Sequence, residues 1–328
     1  MSHTPVLLDE VLAALSPGDS ETIIDGTFGA GGYSAAILRA ANCKLVGLDR
    51  DPRVGPHVER LAAKFGERFS FVQAEFSGLD QVTSGAQVDG VVLDIGVSSM
   101  QLDEDLRGFS FMRDGPLDMR MSSSGPSAAD AVKYMSRNDL ERIFKVYGEE
   151  RRARRCADFI VRARDENPVE TTGALADILT RALGQSGKRH PATRVFQALR
   201  IFINDELGEL VRGLLAAERI LKPGGRLVVV SFHSLEDRIV KSFLRRRSGE
   251  VRGGSRHLPP QSVNETAPSF VLKKRSGVSA GKDELRANPR ARSARLRAGV
   301  RTDAEPWSEE NNLLPVVPGL DVLEGLVA

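Results

Sequence analysis

Cysteine is scarce in this chain of 328 residues, which holds only Cys43 and Cys156. Two cysteines exclude a disulfide framework and a cysteine-rich zinc site, and we expect both side chains to be small buried hydrophobes. The sequence also lacks an apolar run of the roughly 18 residues that cross a bilayer. Its first residues, Met1–Pro5, lack the charged and then apolar pattern of a signal peptide. These absences favour a cytoplasmic protein with no membrane partner, and no metal site is expected.

Net charge is small, at +2, but it is unevenly distributed. Residues 241–300 carry 15 lysines and arginines and four acidic residues, so this segment is +11 and the rest of the chain is −9. A basic block on a nearly neutral protein is typical of a surface that binds a polyanion. A solvated basic tail has the same composition, so charge alone leaves both interpretations open.

A glycine-rich loop, Asp25–Ser34, is the most informative stretch. It follows the apolar pair Ile23-Ile24, precedes the helical run Ala35–Leu38, and is succeeded by a second apolar run that ends at Asp49. Strand, glycine loop, helix, strand and acid are typical of a nucleotide-binding βαβ unit, in which the acid accepts hydrogen bonds from ribose hydroxyls. The alternative is a tight turn in any α/β protein, with a helix cap before the helix.

The charge at the start of this loop favours one ligand over another. Dinucleotide-binding loops read Gly-x-Gly-x-x-Gly or Ala and hold a pyrophosphate at the helix N-terminus, but here the sixth position is Ser34. Asp25 ends the first strand, and a carboxylate there would repel a pyrophosphate while suiting an ammonium group. S-adenosylmethionine carries an ammonium, a sulfonium and a ribose but no phosphate. We therefore expect S-adenosylmethionine, with a nicotinamide cofactor as the alternative.

Apolar runs predict a sheet whose strands alternate with helices. The predicted strands are 21–25, 44–49, 69–73, 88–94 and 225–232, followed by two closing strands, 269–273 and 294–300. In the last of these, Leu296, Ala298 and Val300 alternate with arginines, a half-buried edge pattern. Alternation of strands and helices predicts a mostly parallel sheet with helices on both faces.

The fourth and fifth predicted strands are about 130 residues apart, far more than an ordinary crossover needs. Apolar residues in this gap recur at helical spacing, which predicts an inserted helical domain at 106–189 and then one long amphipathic helix from Phe196 to Leu214. The predicted division is 1–105 and 190–302 for the sheet domain, 106–189 for the insert and 303–328 for an acidic tail. An apolar stretch in that tail, Leu313–Val317, could dock on its own chain or on a partner.

Several ordered stretches resemble one family, the ribosomal RNA small-subunit methyltransferase H family, also called the MraW family. The matching stretches are Pro5–Glu10, Asp25–Gly32, Asp49–Pro52, Asp94–Ser99, Gln101–Asp103, Arg107–Phe111, Gly115–Met121, Tyr147–Glu150, Phe196–Arg200, Ser231–Asp237 and Asn288–Ala294. The resemblance implies a class I methyltransferase of Rossmann-like fold with an inserted all-helical substrate domain. It also implies N4-methylation of a decoding-centre cytidine in 16S rRNA of the small ribosomal subunit, by a monomer or a homodimer.

The resemblance also implies which residues bind S-adenosylmethionine. Asp49 would accept hydrogen bonds from the ribose hydroxyls, and Phe76 would border the adenine. The full set is Gly31, Gly32, Tyr33, Asp49, Phe76, Asp94 and Gln101. Tyr33 departs from the family, whose loop usually continues Gly-Gly-His, so a hydrogen bond from an imidazole is lost there.

The chemistry of N4 methylation suggests four catalytic candidates. The cytosine amino nitrogen is a weak nucleophile, so an acceptor must orient its hydrogens and take the departing proton. Asp94 ends the fourth strand at the ligand edge of the sheet, and Ser98 lies just beyond it. His233 follows the fifth strand and is either an acid–base group or a structural one. Asp118 begins the insert, where it either faces the base or pairs with Arg120.

Ser234-Leu235-Glu236-Asp237 resembles a capping box that begins a helix through about residue 244. A cytidine in structured RNA must be unstacked to reach the sulfonium, and the insert and the basic segment are the groups expected to hold the surrounding phosphates. Two other functions stay open at this point. One is a methyltransferase of the same fold acting on DNA or a small molecule, and the other is a non-catalytic ribosome-assembly factor.

Overall fold

The computed structural model describes residues 5–96, 104–122, 124–185, 190–249, 266–308 and 313–327. The chain folds into two compact units. Unit 1 comprises Met1–Gly96 and Gly208–Leu314, and unit 2 comprises Val97–Leu207 and Pro315–Ala328. The domain boundaries predicted from the sequence, at 105/106, 189/190 and 302/303, stay predictions.

Unit 1 is built on a seven-stranded sheet with the order β3-β2-β1-β4-β5-β7-β6. Strands β1 to β5 are parallel, whereas β7 runs antiparallel to both β5 and β6. The strands are β1 Thr22–Asp25, β2 Lys44–Asp49, β3 Phe69–Gln73, β4 Val88–Asp94, β5 Leu221–Ser231, β6 Phe270–Val271 and β7 Arg295–Arg301. The predicted mostly parallel α/β sheet is confirmed.

Continuous apolar runs form the central strands because helices cover the sheet. Ile23 and Ile24 in β1 are fully buried, as are Val91 and Val92 in β4. The helices of this unit are α1 Leu8–Leu15, α2 Gly32–Ala40, α3 Gly55–Phe65, α4 Leu79–Val82, α11 Ser234–Arg247 and α12 Lys282–Ala287. Cys43 is buried here, as expected, and Cys156 is buried in unit 2.

The predicted edge position of the last strand is wrong. β7 lies between β5 and the two-residue β6, so both of its sides are paired. Arg301 is buried rather than outward-facing. Its Nε donates to the Glu218 carbonyl (3.0 Å) and an Nη1 donates to the Ser269 carbonyl (3.1 Å). The alternating pattern predicted an exposed Arg301. The side chain can be buried because its guanidinium donates to backbone carbonyls of the protein itself.

Part of the basic segment is likewise structural. Arg247 is 1% exposed, and its Nε lies 3.2 Å from Glu218 Oε2, which is also 1% exposed. The guanidinium of Arg247 lies over the rings of Phe243 and Trp307. The Arg297 guanidinium pairs with Asp237 through two hydrogen bonds of 2.6 and 3.0 Å. Arg247 and Arg297 therefore form ion pairs within unit 1. The net charge of the segment overstates the number of positive charges that are available to bind a polyanion.

Unit 2 is helical, as the periodicity predicted. Its helices are α5 Ala128–Tyr134, α6 Arg137–Val146, α7 Ala153–Glu166, α8 Thr172–Leu183, α9 Thr193–Ile203 and the tail helix α13 Leu320–Val327. Hydroxyl N-caps start three of them: Ser127, Ser136 and Thr171 each accept a hydrogen bond from a backbone N–H of the first turn. No helix in the described ranges has the length and apolar composition that a membrane crossing requires.

The single long helix predicted from Phe196 to Leu214 is wrong. The chain forms α9, Thr193–Ile203, and then α10, Glu206–Ile220, with a break at Asn204-Asp205. Asp205 has a positive φ of 44°. The buried Asn204 amide donates to the Met119 carbonyl (2.7 Å), and its oxygen accepts from Met121 N–H (2.7 Å). Tertiary hydrogen bonds thus end a helix that the apolar pattern alone would continue.

The tail docks on its own chain. Helix Leu320–Val327 packs against helix Ala128–Tyr134, and Leu323 is fully buried. The Arg142 guanidinium Nε donates to the Val316 carbonyl (3.1 Å), which fixes the segment before the helix. Of the two alternatives left open by composition, the structure supports docking within the chain.

Candidate active site

Three aspartates end neighbouring strands of unit 1. Asp25 ends β1, Asp49 ends β2 and Asp94 ends β4, and β1 pairs with both other strands in parallel register. Because the carboxyl ends of parallel strands share one edge, these groups lie at the edge where open α/β sheets bind ligands. The sequence predicted Asp49 and Asp94 at this edge.

The glycine loop turns sharply between β1 and α2. Gly29 and Gly31 have φ values of 51° and 74°, which only glycine adopts without strain. A Cβ on Gly31 would also lie 2.9 Å from the Phe28 ring, and one on Gly32 would clash with Pro5. Both predicted glycines are therefore required by the loop's own packing, quite apart from any ligand.

Asp49 is held by backbone donors. Its Oδ2 accepts from Gly29 N–H (2.7 Å) and its Oδ1 from Asp51 N–H (2.9 Å). Burial raises the pKa of this carboxyl, and the two backbone hydrogen bonds oppose that rise. Each oxygen retains a second lone pair. The carboxylate is thus fixed in orientation and still able to accept further donors, as a ribose-binding acid requires.

Asp25 is fully buried at the base of the loop. Ser34 Oγ donates to its Oδ2 (2.7 Å), and Thr27 N–H donates to its Oδ1 (3.3 Å). Burial raises the pKa of Asp25 to about 6, despite the opposing hydrogen bonds. Ser34, which departs from the dinucleotide pattern, therefore serves as the donor that helps this acid to ionise.

Asp94 has an unsatisfied acceptor. The Asp94 backbone N–H donates to Thr27 Oγ1 (2.6 Å), but the buried Oδ1 of Asp94 has no hydrogen-bond partner among the described residues. Burial, followed by the charges of Asp25 and Glu236, raises the pKa of Asp94 well above its ordinary value. A buried acceptor without a donor costs about 1–3 kcal/mol. This atom is therefore suited to receive a ligand donor.

The two predicted aromatic contacts have defined neighbours. The buried Tyr33 donates its hydroxyl to the Val6 carbonyl, and burial raises the pKa of that phenol. Phe76 is half-buried beside Gly26, whose added Cβ would lie 3.2 Å from Phe76 Cβ. An added Cβ on Gly213 would collide with the Phe76 ring. Two glycines thus make the space that this ring occupies.

His233 caps helix Ser234–Arg247. Its Nδ1 accepts from Glu236 N–H (3.4 Å), and Glu236 Oε2 accepts from His233 N–H (3.1 Å) and Phe232 N–H (2.8 Å). The capping box is therefore His233 with Glu236, and the predicted pairing of Ser234 with Asp237 is wrong by one residue. His233 Nε2 lies 3.0 Å from Glu236 Oε1 but makes no hydrogen bond within the described residues. Its acid–base role stays a prediction.

Asp118 pairs with Arg120 inside unit 2, one of the two expected alternatives. Asp118 Oδ1 accepts from Arg120 Nε (2.9 Å) and N–H (2.9 Å), and its Oδ2 accepts from Nη2 (2.7 Å). Burial raises the pKa of Asp118, but the Arg120 hydrogen bonds and charge outweigh it and the net shift is downward. The carboxylate is ionised and oriented. Its catalytic role stays a prediction.

The remaining predicted site residues, Ser98 and Gln101, lie outside the described residues. So do Ser99 and Asp103.

Comparison with known proteins decides the family. Residues 1–302 match the sequence profile of the MraW methylase family. The chain belongs to the MraW methylase family. A protein of Maricaulis maris (strain MCS10) named ribosomal RNA small subunit methyltransferase H is 57% identical over 326 residues, 98% of each chain. A protein of the same name from Caulobacter sp. (strain K31) is 56% identical over 94% of this chain and 95% of its own.

Solved structures resemble this MraW methylase at low identity. A putative rRNA-methylase from Clostridium thermocellum has a TM-score of 0.42 at 11% identity, covering 92% of this chain and 100% of its own. A putative methyltransferase from Streptococcus mutans in complex with SAH has a TM-score of 0.41 at 7% identity, covering 91% and 99%.

Membership of the MraW methylase family confirms three predictions. The chain is a methyltransferase, its sheet is the class I, Rossmann-like methyltransferase sheet, and its cofactor is S-adenosylmethionine. The buried Asp25 carboxyl fits that cofactor, because a carboxylate at the start of the loop would repel a pyrophosphate and suits the ammonium group of S-adenosylmethionine. The nicotinamide alternative is thereby set aside.

The sequence did not predict that two polar residues support this site through hydrogen bonds. Thr27 links the loop to β4 through its hydroxyl, and Ser34 supports Asp25. Ser34 carried a signal, since a hydroxyl one helical turn after Gly31 can point back to the loop. Thr27 carried none, because its contact with Asp94 joins residues that are 67 positions apart.

Proposed function

We propose that this chain transfers the methyl group of S-adenosylmethionine to N4 of a decoding-centre cytidine in 16S rRNA. The observation that carries the proposal is the 57% identity, over 98% of both chains, to a protein named ribosomal RNA small subunit methyltransferase H. The target atom follows from the family that the sequence motifs resemble. Such a substrate would place the reaction in the cytoplasm, on rRNA or on the small subunit.

Unit 1 would hold the cofactor through residues of fixed orientation. Asp49, bound by Gly29 N–H and Asp51 N–H, would accept the ribose hydroxyls. Gly31, Gly32 and Tyr33 would line the loop, Phe76 would border the adenine, and Gln101 would complete the contacts. When bound, S-adenosylmethionine supplies an electrophilic methyl group on a positively charged sulfur.

Charge couples cofactor binding to ionisation of the site. Burial raises the pKa of Asp25 to about 6 and that of Asp94 well above its ordinary value, so both carboxyls are harder to ionise before a cation arrives. A bound ammonium or sulfonium favours the carboxylates. We therefore infer that binding releases protons and leaves Asp94 as an acceptor.

Asp94 is the proposed acceptor for the cytosine amino group. Its free Oδ1 can orient an N4 hydrogen and take the proton that N4 must lose. Ser98 would assist in the same step. His233 would act mainly through its cap, which sets the start of helix Ser234–Arg247 beside β5.

Unit 2 is proposed as the substrate-recognition domain, in keeping with the predicted insert at 106–189. The ionised Asp118, held by Arg120, is its candidate for contact with the target cytidine. Phosphate contacts from basic side chains would add affinity that weakens with salt, while the base contacts would supply specificity.

The test is methyl transfer from labelled S-adenosylmethionine to purified small subunits, to their naked rRNA and to DNA. The rRNA is then digested, and its nucleosides and fragments are identified by mass spectrometry. Label in N4-methylcytidine from a decoding-centre fragment is expected. Label on DNA or on another nucleoside would overturn the proposal in favour of another substrate, and rRNA binding without transfer would favour an assembly factor.

Asp94→Asn is the matched variant for that test. It keeps the side-chain shape but cannot take a proton, so transfer should fall by about 100-fold or more, within the range that acid–base catalysis supplies. Unchanged transfer by Asp94→Asn would remove Asp94 from the proton-accepting role without affecting the assignment of the substrate.

A further inference from the structure

Unit 2 presents an exposed aromatic ring that is already held in place. His190 is exposed, and its ring packs against Phe111 in a tilted arrangement, with a centroid separation of 4.6 Å and an interplanar angle of 32°. Phe111 in turn meets Phe196 edge-on, with centroids 4.8 Å apart and an angle of 72°. Phe196 is buried in helix Thr193–Ile203. A surface ring is thus anchored to the core through two successive aromatic contacts.

The helix start fixes the same ring a second time. His190 Nδ1 accepts from Ala192 N–H (3.2 Å), and the His190 carbonyl accepts from Thr193 N–H (3.1 Å). A neutral ring that accepts at Nδ1 carries its proton on Nε2. An exposed side chain normally loses rotamer freedom when a ligand binds it. Here the chain has already fixed the ring, so that part of the cost of binding is reduced.

The loop that carries Phe111 exposes two large apolar side chains. Gly115 packs so closely on the Asp105 carbonyl that a Cβ would clash, and Arg113 Nη1 lies 3.2 Å from Asp105 Oδ2. This closed loop exposes Leu106 (77%) and Met112 (82%). Packing within the protein does not explain why these two positions are apolar, because both side chains are exposed to solvent.

The loop that carries Phe111 and the helix that follows His190 each carry an arginine. Arg113 is 75% exposed, and its partner Asp105 is also partly exposed. Arg194, in the first turn of helix Thr193–Ile203, is half-exposed and lies 3.8 Å from Glu150 Oε2. The Arg113–Asp105 pair is exposed to solvent and contributes little stability, so Arg113 can exchange its partner for a phosphate at small cost. Glu150 is buried, so Arg194 can add a phosphate contact only while it keeps this carboxylate as a partner.

We propose that His190 and Phe111 form a stacking platform for an unpaired nucleobase of single-stranded RNA. An exposed ring that is already held in place, together with exposed apolar and arginine side chains on the two elements that carry the ring pair, is the combination by which proteins bind single-stranded nucleic acid. The platform rests on the proposed function, since it gives unit 2 a base of the rRNA substrate to hold. It is a binding element, separate from the methyl-transfer chemistry.

The test measures binding of the full chain to a fluorescent single-stranded oligocytidylate by anisotropy. His190→Ala should weaken binding by about 5- to 100-fold, the range for losing one base–aromatic stack. The slope of log affinity against log salt should stay unchanged, because no phosphate contact is lost. His190→Tyr, which restores a ring, should recover most of the affinity, whereas His190→Lys, which adds only charge, should not.

Four further comparisons keep the result specific. Tyr134→Ala removes another exposed aromatic of unit 2 and should leave RNA binding unchanged. Phe111→Leu keeps the apolar anchor but loses the stacked ring, and should weaken binding as His190→Ala does. S-adenosylmethionine affinity should match the parent in every variant, and the melting temperature of His190→Ala and Phe111→Leu should fall by only about 2–4 °C, as expected for the loss of one contact. With an abasic oligonucleotide, the parent and His190→Ala should bind equally.

Several outcomes would overturn the platform. These are normal RNA binding by His190→Ala, equal rescue by lysine and tyrosine, a persistent difference on abasic RNA, and failure of the parent to bind the oligonucleotide. Indifference to His190 would point instead to a protein partner for this surface. Because the readout is RNA binding, a negative result here is distinct from failure to find N4-methylcytidine, which tests the proposed function.

Discussion

At the scale of single residues, Asp25, Asp49 and Asp94 have the same side chain but different hydrogen-bond partners, and these partners give them different roles. Asp49 accepts two backbone N–H groups, Asp25 accepts a hydroxyl and one N–H, and Asp94 keeps a bare Oδ1. All three have a raised pKa, and burial is the main cause in each. The strand ends predicted their positions, but the partners come from the folded loop.

The ribose assignment predicts that Asp49→Ala weakens S-adenosylmethionine binding by on the order of 100-fold, since hydrogen bonds to a charged group contribute about 1.5–3 kcal/mol each. Titration calorimetry measures this directly. Glu67→Ala, which removes an exposed acid of the same unit, is the control and should bind normally. If Asp49→Ala and Glu67→Ala both bind S-adenosylmethionine normally, Asp49 does not bind the ribose.

Asp25 gives a prediction with a defined pH dependence. Its folded pKa, about 6, lies above the ordinary 3.8, so the unfolded chain releases this proton first and stability falls as pH rises from about 4 to 6. Above pH 6 the loss is constant, on the order of 3 kcal/mol. Asp25→Asn, which stays neutral and can still accept from Ser34, should therefore be more stable than the parent at neutral pH without cofactor.

Urea unfolding of the parent and of Asp25→Asn across that pH range checks this. The advantage of the variant should be smallest below pH 4 and should grow up to pH 6. The charge of Asp25 also helps to raise the pKa of Asp94, so the two carboxyls titrate as a coupled pair and the difference between the two proteins includes that coupling. An advantage that does not change with pH would contradict the buried-acid assignment.

At the scale of elements, helix starts show what local sequence does and does not determine. Ser127, Ser136 and Thr171 are typical N-caps and act as such. Helix Ser234–Arg247 uses His233 instead, an atypical cap that is fixed by the reciprocal Glu236 contact. Likewise, nothing in the apolar periodicity from Phe196 onward marks Asn204 as a break. Its partners, Met119 and Met121, lie more than 80 positions away.

Two substitutions of His233 distinguish a helix-capping role from an acid–base role. Asn is a good N-cap, so His233→Asn should keep the stability of the parent, whereas His233→Ala should cost about 1 kcal/mol. If His233 only positions the helix, His233→Asn should also keep methyl transfer to small subunits. Loss of transfer in His233→Asn, with unchanged melting temperature and unchanged S-adenosylmethionine affinity, would make the imidazole an acid–base group.

At the scale of the whole molecule, the chain enters unit 2 twice, as Val97–Leu207 and again as Pro315–Ala328. The family profile ends at residue 302, so the second entry lies beyond it. Composition identified an apolar stretch in the tail but not the helix after it or its docking site. That docking depends on the face of helix Ala128–Tyr134, which a local pattern does not describe.

Docking of the tail predicts a large difference between two leucines of one helix. Leu323 is fully buried and Leu326 is 48% exposed. Leu323→Ala should destabilise unit 2 by about 2–5 kcal/mol, whereas Leu326→Ala should cost less than about 1 kcal/mol. Hydrogen exchange should therefore speed up in helix Ala128–Tyr134 for Leu323→Ala and for a chain ending at Leu314, while Leu326→Ala exchanges like the parent. Because Asp25, Asp49 and Asp94 belong to unit 1, S-adenosylmethionine affinity should not change. Equal exchange in the parent and in the truncated chain would show that the tail helix contributes nothing to the stability of unit 2.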